Sequence, residues 1–308
     1  MSHKRPIIID TDPGIDDAVA IAVALFDPTL EIKLITTVGG NVSLEKVTKN
    51  VLKLLKFFDI TDIPVAAGAK EPLFRKVKDA SSVHGESGMD GYDFEPGDEG
   101  LMLEENAVVA MRDTILKSAE KVTLIPIGPL TNIALLLKVF PEVKDNIEEI
   151  IMMGGSTGRG NFGVLTEFNA GIDPEAAKIV FKSGVKITMV GLDVGWKALV
   201  FPEDSLKIKE QNRTGEMIYS LFKHYRGKGL ANGLKMYDGC AIAYLTEPEM
   251  FTVQECFIDV ETEGQMTAGA TLVDFRGYLG QENNAFVTTD IDDEAFREWL
   301  LAGLKRCP

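Results

Sequence analysis

The chain has 308 residues, three cysteines and 32 basic against 47 acidic side chains, for a formal charge of −15. A field of that sign repels a phosphate backbone and an anionic membrane surface, which argues against nucleic acid and membrane as partners. Cys240, Cys256 and Cys307 are too few and too scattered for a disulfide framework or a CxxC metal site, which fits a reducing, cytoplasmic setting.

The first apolar run, 7–9, stops at Asp10, too short for a secretion signal. No stretch approaches the roughly 18 apolar residues of a membrane span. β-branched runs then alternate with helical periodicity: a strand at 6–10, a helix at 16–25, a strand at 32–38, a helix at 43–58 and a strand at 63–67. The segment 69–100 interrupts the pattern with Gly, Asp and Ser, and a loop of that length is expected to be functional or disordered. Alternation resumes with a helix at 107–118, a strand at 122–127, a helix at 130–139, a strand at 150–153, a helix at 174–183 and a strand at 186–190. Residues 202–245 read as helical and 256–287 as late strands with turns. This predicts an α/β fold, one domain over 1–308, with an open, mostly parallel central sheet flanked by helices and additional strands late in the chain. Ligands are expected beyond the carboxyl ends of the strands.

Asp10, Asp12, Asp16 and Asp17 place four carboxylates within eight residues where a buried strand turns into a helix at Pro13-Gly14. Like charges this close need compensation, and a hard divalent cation with oxygen ligands supplies it; Ca²⁺ tolerates irregular geometry better than Mg²⁺. Asp16 alone also reads as a helix cap, but capping leaves Asp10 and Asp12 unexplained. The Asp-x-Asp start is shared with haloacid dehalogenase phosphatases, where the first Asp is a nucleophile; Gly14 stands where that family expects Thr or Val. EF-hand spacing fails as well, at Gly14 and Ile21.

The string DTDPGIDDAVAIAVAL closely resembles the opening signature of the inosine-uridine-preferring nucleoside hydrolases. Further blocks similar to that family follow in family order: TTVGGNVSLEK at 36–46, SSVHGESGMDG at 81–91, IGPLTNIALLL at 127–137, MMGGSTGRGNF at 152–162, EFNAGIDPEAA at 167–177 and GLDV at 191–194. They cover nearly the whole chain, and HGESGMDGYDF looks most like the broad-specificity branch taking purine and pyrimidine ribonucleosides. The resemblance implies hydrolysis of the N-glycosidic bond by a Ca²⁺-bound water, with Asp12 as general base and calcium ligand. Asp17, Asp238 and the main-chain carbonyl of Ile127 would complete the calcium set, with Asp10 behind it. Asp16, Asn41, Asn161, Glu167 and Asn169 would hold ribose hydroxyls over Met153. His84 and Phe168 would line the nucleobase pocket, and Tyr225 would close over it. A homodimer or homotetramer is implied too.

Singly, these residues have plainer readings: Asn41, Asn161 and Asn169 as loop residues, Glu167 as a solvated acid, Met153 as core, His84 as a loop histidine and Tyr225 as helix packing. Their joint occurrence in order favours the site. Three places depart from the family, the simplest being Thr166, where Ala normally precedes the Glu-Phe-Asn run. Tyr237 stands where a His commonly assists the leaving base, leaving a hydrogen-bond donor, a stacking surface or packing as its roles, and implying weaker cleavage of purines that need ring protonation. Gly195-Trp196 replaces the usual Thr-Asn or Thr-His, with Trp196 read as core or as a base-stacking ring. A ribonucleoside-binding protein without turnover and a Mg²⁺-dependent phosphatase are the rival readings.

Overall fold

The computed structural model describes residues 4–76, 80–225 and 232–308. Strand β1 (Arg5–Thr11) carries Ile7 and Ile9 into one apolar layer and Ile8 into the other, the mark of a strand covered on both faces. It is followed in chain order by β2 (Leu30–Thr37), β3 (Val65–Ala67), β4 (Val122–Pro126), β5 (Ile147–Met153) and β6 (Ile187–Val190). Then come β7 (Leu199–Val200), β8 (Leu234–Lys235), β9 (Phe251–Val260), β10 (Thr271–Asp274) and β11 (Ala285–Ile291). Nine of these form one sheet in the order β10-β9-β11-β6-β5-β4-β1-β2-β3, and β7 and β8 pair separately. From β3 to β11 every pairing is parallel; β9 runs antiparallel to both β11 and β10.

The helices are α1 (Ile15–Leu25), α2 (Leu44–Phe57), α3 (Ser81–His84), α4 (Ala107–Lys117), α5 (Thr131–Val139) and α6 (Phe168–Ile172). After them come α7 (Pro174–Phe181), α8 (Leu192–Gly195), α9 (Pro202–Lys209), α10 (Arg213–Phe222), α11 (Tyr237–Thr246) and α12 (Asp293–Lys305). α1, α2, α10, α11 and α12 pack on the Ile7/Ile9 face, while α4, α5 and α7 cover the Ile8 face. α1 is buried from Ile15 to Ala24, so its Ala, Val and Ile residues point inward all round. The chain leaves β1 towards β2 and β3 on one side and returns at β4 on the other. The crevice at the carboxyl ends of β1 and β4 is therefore a topological switch point, where this class of sheet binds ligands.

The parallel sheet, its helical cover and the late strands are as expected from the sequence. The region 202–245 is not one helical unit: α9, α10 and α11 are separated, with β8 intervening. The late strands extend further than 256–287, starting at Phe251 and ending at Ile291. α12 was not anticipated, although Asp292 caps it by accepting from Glu294 N at 3.2 Å and Ala295 N at 3.0 Å. Among the described residues no helix is long and apolar enough to cross a membrane. All three cysteines are buried free thiols.

Candidate active site

The β1–α1 turn builds the floor of the crevice. Pro13 and Gly14 end the strand, and Asp17, one turn into α1, accepts the Gly14 N–H at 2.8 Å and the Thr11 hydroxyl at 2.6 Å. Asn41, after β2, donates its backbone N–H to Asp12 Oδ2 at 2.6 Å. Its side-chain amide donates to the Asp12 carbonyl at 3.0 Å and to Asp17 Oδ2 at 3.3 Å. Asn41 thus ties Asp12 to Asp17, and what it has left for a ligand is Oδ1. Gly40 must lack a side chain here, since a Cβ would stand 2.9 Å from Asp12 Cγ. Asp10 sits deeper, with Oδ1 held by Thr36 at 2.5 Å and Asn132 at 2.8 Å.

Asp238, at the start of α11, joins this floor from the far end of the chain. Carboxylate oxygens of Asp16, Asp17 and Asp238 lie within 4.8 Å of one another, and all three residues are buried. The family resemblance gives Asp16 to the sugar; the fold brings it into the carboxylate cluster as well as to the cavity. Among the described residues no basic side chain pairs with Asp12, Asp17 or Asp238. Burial, then the charge of Asp17, pushes Asp12 well above the ordinary carboxylate range, against the pull of the Asn41 N–H. Asp238 is driven well up by burial and by Asp16, Asp17 and Asp12, and Asp17 is raised by burial and Asp16. Asp12 Oδ1 and Asp10 Oδ2 have no hydrogen-bond partner among the described residues. Buried acids in such deficit, offering only oxygen donors, fit a hard cation.

The wall opposite is formed by residues following β5. Glu167 caps α6, accepting N–H bonds from Asn169 at 2.9 Å, Ala170 at 3.0 Å and Gly155 at 2.9 Å. Burial nonetheless pushes its carboxyl up to about 7. Asn169 donates its amide to the carbonyls of Ile127 at 2.9 Å and Met153 at 3.0 Å, which turns Oδ1 away from them. Asn161 Oδ1 accepts from Phe168 N at 2.9 Å, keeping its NH₂ for other partners. On the remaining side, His84 Nδ1 accepts the Ile15 N–H at 3.2 Å, and its ring lies 5.4 Å from that of Tyr225.

One cavity of about 650 Å³ is lined by Asp16, Asn41, His84, Ile127, Met153, Asn161, Glu167, Phe168, Asn169, Tyr225, Tyr237 and Asp238. Asp12 and Asp17, 1 % and 0 % exposed, lie beneath that lining. Ala80, Val83 and Phe162 also line it and were missed; Phe162 packs edge-on against Phe168 and directly follows Asn161 in its block, so the signal was at hand. Trp196 is not among the lining residues; it is half-buried, with Arg159 at 5.1 Å and Lys235 at 5.9 Å over its ring. The long loop 69–100 delivers His84 to the cavity through α3.

Fold and site together define an α/β enzyme whose pocket sets an acidic, cation-ready floor against hydrogen-bonding and aromatic walls, suited to a small hydroxyl-bearing ligand with a flat ring. The sequence model of the inosine-uridine preferring nucleoside hydrolases matches residues 7–298, so the chain belongs to that family and is a nucleoside hydrolase. It is 54 % identical over 300 residues to the non-specific ribonucleoside hydrolase RihC of Salmonella agona, covering 97 % of each chain. The solved purine-preferring ribonucleoside hydrolase from Gardnerella vaginalis is similar with a TM-score of 0.90 at 28 % identity, over 98 % of both chains. A solved inosine-guanosine nucleoside hydrolase gives 0.90 at 28 % identity over 99 % of both.

Proposed function

We propose that this hydrolase cuts the N-glycosidic bond of ribonucleosides with either purine or pyrimidine bases, releasing free base and ribose, with Asp12 as general base. The observation that carries the reading is the uncompensated carboxylate floor beneath a cavity walled by Asn161, Glu167 and Asn169. Asp12, Asp17, Asp238 and the Ile127 carbonyl, with Asp16 beside them, would hold Ca²⁺. When bound, the ion would compensate the buried acids, make a water more acidic and attract hydroxyl oxygens.

The chain's own groups do the rest. Asn41 pins Asp12 through Oδ2, so Oδ1 is the atom that takes the proton from the attacking water. Asn161 presents NH₂ and Asn169 and Asn41 present Oδ1 to ribose, with Glu167 accepting a further hydroxyl and Met153 beneath the ring. Contacts of this kind gain strength as the sugar flattens towards an oxocarbenium-like transition state. Phe168 and Tyr225 flank the base. His84, whose Nδ1 takes the Ile15 N–H, carries its proton on Nε2 and donates to the departing base, and Tyr237 closes that end. The chain works as one unit over 1–308, as a homodimer or homotetramer in the cytoplasm; the exposed Leu272, Tyr278 and Leu279 around edge strand β10 support association, and the three free thiols support a reducing compartment.

The test is release of free base from inosine, uridine and their 2′-deoxy counterparts, with chelator and with Ca²⁺ restored. Base release that needs the 2′-hydroxyl and the cation is expected. Nucleoside binding without base release, or phosphate release from a phosphomonoester with Mg²⁺, would overturn the proposal.

A further inference from the structure

Gly195 closes α8, and its backbone is helical, so nothing in its φ calls for glycine. What calls for it is Tyr237. A Cβ on Gly195 would overlap Cδ1 of that ring and stand 2.9 Å from Cε1 and 3.4 Å from Cγ. The ring is rigid and is struck beside its root, so it cannot bend aside as the tip of a long chain would. Either the ring turns or α8 retreats.

α8 is fastened on its other side. The Leu192 N–H binds the Gly155 carbonyl at 3.0 Å. The Asp193 carboxylate takes the Thr157 N–H at 2.8 Å and the Thr157 hydroxyl at 2.6 Å, and Arg159 lies over Trp196. Retreat of α8 therefore drags 155–159, the stretch leading to Asn161 and Phe162 in the cavity wall. Tyr237 is 5 % exposed and faces the cavity, so open space for its ring lies on the ligand side.

We infer that Gly195 is a specificity-determining residue: by lacking a side chain it receives the Tyr237 ring and so keeps the base-binding end of the cavity deep enough for a two-ring base. This rests on the nucleoside hydrolase reading above. A methyl at 195 drives the ring towards the ligand, and purine nucleosides lose more than pyrimidine nucleosides.

The experiment is a double-mutant cycle of Gly195→Ala and Tyr237→Ala, reading KM and kcat for inosine and uridine and the melting temperature of each protein. Gly195→Ala is expected to raise KM for inosine by about tenfold or more, and for uridine by a smaller factor, with kcat less affected. In the Tyr237→Ala background the added methyl is expected to change either KM by less than about twofold. If Gly195→Ala does not fold, recovery of folded protein in the double variant carries the same coupling. An equal penalty with and without the Tyr237 ring would overturn the inference, as would an unchanged inosine-to-uridine ratio. Failure of the parent protein to release base falls on the activity reading instead, and the same cycle is then read from inosine Kd by calorimetry.

Discussion

The turn after β1 and the segment after β5 deliver carboxylates to the same cavity, yet they settle those charges in opposite ways. Glu167 is one acid answered by three backbone N–H groups, two at the start of α6 and one from Gly155 after β5. In the floor, Asp16, Asp17 and Asp238 crowd within 4.8 Å, while Asp12 keeps one oxygen without a partner among the described residues. A wall acid bound on both oxygens by its own backbone is fixed in place without a ligand, although burial still lifts its carboxyl to about 7. A floor in deficit is poised for positive charge from outside, the arrangement in which functional sites concentrate.

The largest effect should come from removing the cation. Chelation is expected to lower base release by on the order of 10³-fold or more, because charge stabilisation and water activation are lost together. Restoring Ca²⁺ at a hundred times its Kd should stabilise the fold by about 2.7 kcal/mol, read as a rise in melting temperature. Identical melting curves with and without Ca²⁺ would erase the contrast between floor and wall.

Next, Asp12→Asn keeps an acceptor for the Asn41 N–H but removes the proposed base and one buried charge. kcat/KM should fall by about 10²- to 10⁴-fold. Since burial and Asp17 raise the folded-state pKa of Asp12, its ionisation opposes folding near neutral pH, and the chelated variant should melt higher than the chelated parent. A lower melting temperature would mean that the floor is already balanced.

Glu167→Gln should move stability the other way. Both carboxylate oxygens accept backbone N–H groups, so either amide orientation sets an NH₂ against an N–H. A loss of up to about 1–3 kcal/mol is expected by thermal or denaturant unfolding, shrinking towards and above pH 7 as the variant escapes the ionisation cost of the raised carboxyl, with kcat/KM lower by about tenfold to a hundredfold. A Glu167→Gln variant as stable as the parent would show that the wall has slack.

This contrast was only half legible in the sequence. The floor was readable because Asp10 to Asp17 form one local string, and the βα alternation placed it at a strand end. Asp238 was reached only through family resemblance, since nothing local marks an acid that packing brings in from α11. Glu167 as a helix cap was hidden because α6 spans Phe168–Ile172, too short for a periodic pattern. That the Asn41 amide spends its donors on Asp12 and Asp17, and that Gly195 answers to Tyr237, are facts of tertiary contact between distant segments. Composition and spacing carry no trace of either.

The smallest effect separates stability from turnover at a single group. Burial lifts Glu167 to about 7, while the N–H groups of Ala170, Asn169 and Gly155 pull against it. A carboxyl raised in the folded state binds its proton more tightly there than in the unfolded chain. Its ionisation therefore costs nothing below the unfolded value near 4.5 and costs progressively more as pH rises through about 7. In its proposed ribose-binding role turnover should run the opposite way, because a protonated Glu167 must give up accepting from either a backbone N–H or a ribose hydroxyl. With Ca²⁺ saturating, kcat/KM is expected to fall about tenfold between pH 8 and pH 6. Asp10 is also pushed to about 7 by burial, so the profile alone does not name the group. Glu167→Gln does: loss of the inflection assigns it to the wall, whereas its survival transfers the titration to the floor, to Asp10 or Asp12, both raised by burial.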